Sequence, residues 1–338
     1  MTAPSAGPRR RTRGGTDTVR RSTLAEEFGL VLEAAGPGLD LRGWIDGHRD
    51  EIRADLDRFG AVLFRGFLVP GPEGFGACAR GISPTLLDYL ERAAPRDEVA
   101  PGVFTSTEMA ADQWIPLHHE MSYSHNWPSL LYFYCDVPSR SQGATPLASE
   151  RTVYPLIPAE IRERFLRHGV RYVRNYSEEL DLPWQQVFQT TDRAEVEAYC
   201  RDSGTEWEWI GRDGLRTTAV RQATAVHPRT GETVWFNHTH LFHLTNLPAD
   251  VSSALLSEYG MAGLPRNAYF GDGEVIDDEV VRLIGDLYRD NSVRFPWRSS
   301  DVLVVDNFLA THGREPFEGD RRILVAMSDL YVNRGSAQ

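Results

Sequence analysis

Residues 114–123 read WIPLHHEMSY and set two histidines directly against a glutamate. Imidazole nitrogens and carboxylate oxygens both ligate divalent transition metals. In an extended segment, residues i and i+2 face one way and i+1 the other. His118 and Glu120 are therefore expected to converge on one ion, while His119 turns away. A third ligand must come from another strand. The candidate is His312 in DVLVVDNFLATHGREPF, expected at the end of the apolar strand VLVVD. Two imidazoles and one carboxylate on one face of an ion form the facial arrangement of non-haem iron(II) oxygenases, which leaves three positions open. A rival cluster lies in WFNHTHLFH, where His238 and His240 share a face and His243 is near. It would suit a cupin-like enzyme using zinc or manganese, but no suitably placed carboxylate accompanies it. His119 and His125 are expected at the surface or behind the ligands.

Arg322, ten residues past His312 in RRILVAM, can form a bidentate pair with a carboxylate. Its neighbour Arg321 is expected on the other side of the strand. Thr145, twenty-seven residues past His118 in SQGATPLAS, offers a hydroxyl to the same carboxylate. This five-point spacing of His118, Glu120, Thr145, His312 and Arg322 resembles the taurine dioxygenase superfamily of Fe(II)/2-oxoglutarate-dependent oxygenases, over a span from about Ala61 to Val332. Taurine-type enzymes carry Asp where this chain has Glu120. The glutamate, together with HHEMSY, HPRTGETVWFNH and HGREPFEGDRRILVAM, resembles the branch that includes clavaminate synthase and the syringomycin aspartyl hydroxylase type. The sulfonate-binding arginine of the taurine type would fall at Ala326, which argues against a sulfonate substrate.

The resemblance implies iron(II) on His118, Glu120 and His312, with 2-oxoglutarate as cosubstrate and dioxygen as oxidant. The far carboxylate of 2-oxoglutarate would be held by Arg322 and Thr145. The reaction implied is decarboxylation to succinate coupled to hydroxylation, desaturation or cyclisation at an unactivated C–H bond. The substrate implied is a small molecule, an amino acid or amino-acid-derived intermediate of antibiotic or other specialised-metabolite biosynthesis, free or carrier-tethered. Glu120 also fills the position that related halogenases leave open for chloride. Trp114, Trp235 and Phe308 are candidates to line the pocket, and Arg221 and Asn237 to contact the substrate.

These residues need a framework, and the pattern of apolar residues supplies one. From Phe104 on, short apolar runs such as SLLYFYCDV, VRYVRNY, DVLVVDN and RRILVAMSDLYV read as strands. HPRTGET between two such runs reads as a hairpin turn. AEIRERFLRHG, RAEVEAYCRD, LPADVSSALLSEYG and DDEVVRLIGDLYRD have helical spacing. Nearer the start, LAEEFGLVLEAA, LRGWIDGHRDEIRADLDRFG and GFGACARGISPTLLDYLERA are also expected to be helical. The expected fold is mainly β with α decoration, a double-stranded β-helix or jelly roll with flanking helices. The expected organisation is an Arg-rich disordered tail over 1–22 and a single domain over 23–338.

Composition narrows the function further. The chain carries 36 basic and 48 acidic residues, a net charge of −12. The tail holds six arginines and one aspartate, leaving 30 basic against 47 acidic residues, or −17, for the rest. A body that acidic repels a phosphate backbone, which disfavours nucleic acid as partner or substrate. Every basic residue is arginine, so Schiff-base and P-loop lysine chemistry are excluded. Cys78, Cys135 and Cys200 are widely spaced and odd in number, which suggests neither a disulfide framework nor a zinc knuckle. No apolar run approaches the roughly 20 residues of a membrane helix, and a cytoplasmic location is expected.

Overall fold

Successive side chains of a strand point to opposite faces of its sheet, and the central sheet here buries both. Its eight strands run, edge to edge, Val19–Ala25, Phe28–Ala34, Ala61–Arg65, Val302–Asp306, Asn126–Val137, Arg322–Val332, Val103–Thr105 and Glu98–Ala100. All pair antiparallel except Phe28–Ala34 with Ala61–Arg65, which are parallel. The computed structural model describes residues 18–88, 96–106, 109–177 and 182–333.

One face of this sheet is covered by the helices Leu41–Phe59 and Gly71–Ile82. Leu41, Ile45, Ile52 and Leu56 recur at helical spacing and pack with Val62, Tyr132, Val304, Leu324 and Ala326 of the sheet. Asp40 caps the first helix by accepting from the Gly43 amide, and Gly60 ends it in the left-handed conformation at φ 69°. The other face packs on a smaller sheet of Ser292–Val293, Leu147–Ser149, Ala310–Arg314 and Ile115–His118. Leu131, Phe133, Leu303 and Val325 of the large sheet share this core with Leu147 and Ala310 of the small one. A third sheet, Glu206–Ile210, Gly214–Arg221, Val170–Tyr176 and Arg266–Phe270, lies with the helix Asp278–Asp290 over the outer side of the small sheet.

The chain is mainly β with helices outside, as its periodicity predicts. The helices Ala159–His168, Arg193–Asp202, Ala249–Tyr259 and Asp278–Asp290 form where their spacing places them. Thr224–Val226 and Thr233–Trp235 pair across the HPRTGE turn. Two expectations at the start need correction. LAEEFGLVLEAA is not a helix but the turn and second strand of a hairpin, Val19–Ala25 against Phe28–Ala34. Glu27 and Gly29 turn the chain at φ 54° and 67°, and the apolar run FGLVL is buried between sheet partners, where continuous apolarity no longer separates strand from helix. The hairpin also takes up Val19–Ser22, the last residues of the expected tail; residues 1–17 lie outside the described residues. In GFGACARGISPTLLDYLERA the helix ends at Ile82, and the stretch from 89 to 95 lies outside the described residues. No helix among the described residues is long and apolar enough to cross a membrane.

Candidate metal centre

His118 ends the strand Ile115–His118, and His312 lies in the middle of Ala310–Arg314. The two are direct cross-strand partners in the small sheet, so an antiparallel ladder sets their side chains side by side. Their rings stand 4.5 Å apart. His312 was expected at the end of VLVVD; it sits instead on the following strand, in the other sheet. Glu120 lies in the turn beyond His118, fixed by Asn307, which accepts from the Glu120 amide and donates to the Glu120 and Pro128 carbonyls. The ligand atoms of His118, Glu120 and His312 all lie within 4.8 Å of one another.

The donor set fits a divalent metal. His118 Nδ1 donates to the Pro116 carbonyl at 2.8 Å, which leaves its Nε2 for an ion. Burial, then the charge of His312, depresses the His118 imidazole to about 3, so it is neutral at ordinary pH. Burial alone would raise the Glu120 carboxyl; Arg96 and the hydrogen bond to His312 overcome this and hold it well below the usual carboxylate range. His312 Nε2 stands 3.6 Å from Glu120 Oε2. His119 faces the other way. It is fully buried, with Nδ1 on the Asn307 carbonyl and Nε2 on Glu150, which also accepts from Tyr288 and from the Trp235 amide. The rival histidines do not converge: His240 Nε2 donates to the Leu117 carbonyl, His238 Nδ1 meets Ser122, and His243 Nδ1 meets Thr245.

A pocket opens beside His118 and His312, walled by Phe133, Ile323 and Val325 and closed by Thr145 and Arg321. Thr145 is buried; its hydroxyl accepts from Trp297 Nε1 at 3.1 Å and from Arg321 Nη2 at 3.5 Å. Arg321 Nε donates to the Gly143 carbonyl at 2.9 Å. Arg322 does not face this pocket. Its side chain is half exposed and pairs with Asp136 at 3.0 Å. Ile323 and Val325 belong to the core between the sheets, Leu324 and Ala326 to the core under the helices. Alternation therefore puts Arg321 on the pocket side and Arg322 outside. Ala326 faces the helices for the same reason, and Val325 is the pocket residue.

Trp235 and Phe308 are core residues rather than pocket walls, and Trp114 lies against Arg294. Arg221 donates to Thr205, and Asn237 bonds the Ala223 carbonyl and the Thr239 amide within its own turn. Sequence reasoning missed Arg96, Asn307 and Trp297. Asn307 carried a signal, a polar residue directly after the apolar run VLVVD; Arg96 carried none. A second group, Asp57, His227 and Asp306, also clusters within 4.8 Å. It is a structural knot: Asp306 accepts from His227 and the Phe308 and Leu309 amides, and Asp57 pairs with Arg229.

Residues 21–327 match the family described as taurine catabolism dioxygenase TauD, TfdA family. The chain is 41% identical over 280 residues to the dapdiamide synthesis protein DdaC of Enterobacter agglomerans, spanning 83% of this chain and 84% of that one. It is 32% identical over 283 residues to a clavaminate synthase-like protein of Arabidopsis thaliana, spanning 80% and 82%. Among solved structures, PvcB of Pseudomonas aeruginosa is similar at a TM-score of 0.53 and 17% identity, over 93% of this chain and 92% of that one. PvcB is described as an Fe, alpha-ketoglutarate dependent oxygenase from an isonitrile synthetic pathway.

Proposed function

The chain belongs to the TauD/TfdA family and is an Fe(II)/2-oxoglutarate-dependent dioxygenase, and on that premise we propose that it oxidises an amino acid or amino-acid-derived intermediate of a specialised metabolite. The family sets aside the cupin-type reading with zinc or manganese and no cosubstrate. His118, Glu120 and His312 hold the metal, and Arg321 with Thr145 holds the far carboxylate of 2-oxoglutarate. The observation that carries this is one pocket shared by His118, His312, Thr145 and the partly buried Arg321, with the ligand atoms of both histidines converging on that of Glu120. When bound, iron with its keto-acid cosubstrate and dioxygen supplies the oxidant for an unactivated C–H bond.

The remaining work belongs to the chain. Arg321 offers a charge-assisted fork to a carboxylate, and Trp297 keeps the Thr145 hydroxyl turned toward it. Phe133, Ile323 and Val325 keep that end of the pocket apolar and dry. His118 stays a neutral donor because it is buried. The core between the large and small sheets supports the jelly-roll reading of the framework. Interleaving of strands from Val19 to Val332 in one sheet supports a single domain. Glu120 and the likeness to a dapdiamide synthesis protein support an amino-acid-type substrate, free or carrier-tethered.

The test begins with anaerobic titration by Fe(II) and 2-oxoglutarate, read by the metal-to-ligand absorption band. His118→Ala and His312→Ala are expected to abolish the band. Amino acids and their carrier-bound thioesters are then screened for succinate release and a product changed by one oxygen or two hydrogens. An inert amino-acid panel beside turnover of a terpenoid or polyketide acid would remove the substrate class and leave the oxygenase standing.

A further inference from the structure

Arg96 stands at the metal centre without belonging to the ligand set. It is 7% exposed and shares the pocket with His118, His312 and Thr145. The backbone beside it is anchored, because the Asp97 amide donates to Thr105 Oγ1 and the Thr105 amide to the Asp97 carbonyl, at the edge of the large sheet. Its Nη2 lies 3.3 Å from both oxygens of Glu120. That symmetry matters. A partner on one oxygen would leave the other free for the metal, as an outer hydrogen bond to a ligating carboxylate can. Arg96 instead straddles the carboxylate from the side on which both oxygens are shared.

We infer that Arg96 is a resident counter-ion for Glu120 that stays in place beside an incoming metal, so that it holds the metal affinity of the centre below what His118, Glu120 and His312 would give alone. In the metal-free protein a buried carboxylate needs a compensating charge, and the guanidinium provides it. When a dication arrives, the same guanidinium stands a few ångström from it in a poorly screened interior, and like charges there repel strongly. The attraction between Arg96 and Glu120 is present before and after binding, so it cancels in the binding equilibrium. The repulsion between Arg96 and the dication does not cancel. Arg96 acts through Glu120 and is a positioning residue, in a role opposite in sign to that of an ordinary supporting residue.

This inference rests on reading His118, Glu120 and His312 as the metal ligands. The sign of the effect makes it testable without substrate. Mn(II) is titrated into the full-length metal-free protein at neutral pH, and free Mn(II) is counted by its electron paramagnetic resonance signal. Arg96→Gln is expected to bind Mn(II) at least about tenfold more tightly than wild type. Arg96→Lys keeps the charge and is expected to stay within about threefold of wild type. Removing an orienting partner would weaken binding by about 10- to 100-fold, and general damage to the site would also weaken it. An Arg96→Gln protein that binds Mn(II) no more tightly than wild type therefore overturns the inference. If the Gln chain does not fold, Arg96→Met is read in the same way. Wild type that takes up no Mn(II) at all would instead overturn the ligand assignment beneath it.

Discussion

Arg321 and Arg322 are neighbours in sequence and opposites in environment. Arg321 lies against Gly143 and Thr145 at the closed end of the pocket, and Arg322 lies on the surface beside Asp136. The motif RRI announces an arginine that binds a carboxylate, but not which one. Ile323 to Ser328 are all buried, so no alternation of apolar and polar residues marks the pocket face. Arg321→Ala removes a partly buried charge-assisted contact, of a kind that costs about 2–5 kcal/mol when buried. Affinity for 2-oxoglutarate is expected to fall at least about tenfold, since about 1.4 kcal/mol is a factor of ten. An exposed pair such as Arg322–Asp136 contributes about 0–1 kcal/mol to stability. Arg322→Ala is thus expected to leave 2-oxoglutarate affinity within about twofold. Titration of the absorption band with 2-oxoglutarate compares the two, and a larger loss in Arg322→Ala would return the role to that residue.

Between elements, the decisive feature is how closely the strands of His118 and His312 approach. His118 and His312 are paired across the strands Ile115–His118 and Ala310–Arg314, with an irregularity in the ladder directly after His312. Gly313 occupies that irregularity. A Cβ there would sit 2.6 Å from the Ile115 carbonyl and 3.2 Å from the Leu117 amide. Gly313→Ala must push backbone from backbone, an overpacking that costs about 1–3 kcal/mol. It would also draw His312 away from His118. Mn(II) affinity is expected to fall at least about tenfold while the variant still unfolds cooperatively at a lower temperature. Unchanged affinity in Gly313→Ala would mean that the ligands do not depend on the contact between these strands. The glycine is visible in THGRE, yet its reason for being there is a neighbour nearly two hundred residues away in the chain.

Across the molecule, three sheets and their covering helices bury the histidines, and burial sets how the protein responds to acid. His240 and His238 lie in the layer between the small and third sheets. Burial depresses His240 from its ordinary 6.5 to about 4. His238 is held well below 6.5 by burial and then by the charge of His118. In the unfolded chain both take up protons near 6.5. Folded values below unfolded ones mean that their stabilisation is complete above about 6.5 and is lost as pH falls toward 4. The depressed carboxyl of Glu120 acts in the same direction at lower pH. The unfolding temperature of the metal-free protein is therefore expected to begin falling below pH 6.5, above the range in which carboxylates titrate. A flat unfolding temperature down to pH 5 would contradict the burial of neutral imidazoles.

The sequence by itself determined which two histidines and which glutamate cluster, and the general order of strands and helices. These follow from the residue types in HHE, from hydrophobic periodicity and from a spacing of motifs that the fold preserves. It also anticipated that His119 turns away, although the strand ends at His118 and the turn, with Asn307 and Glu150, sets that direction. Only the tertiary structure decided that His312 lies opposite His118 and that Arg321 rather than Arg322 enters the pocket. It alone showed that the first apolar run is a hairpin and that Arg96 reaches Glu120. The common reason is burial on both faces. Where a strand is covered on each side, every position reads as apolar and direction leaves no trace in the sequence. Contacts between residues far apart in the chain leave none either until the backbone brings them together.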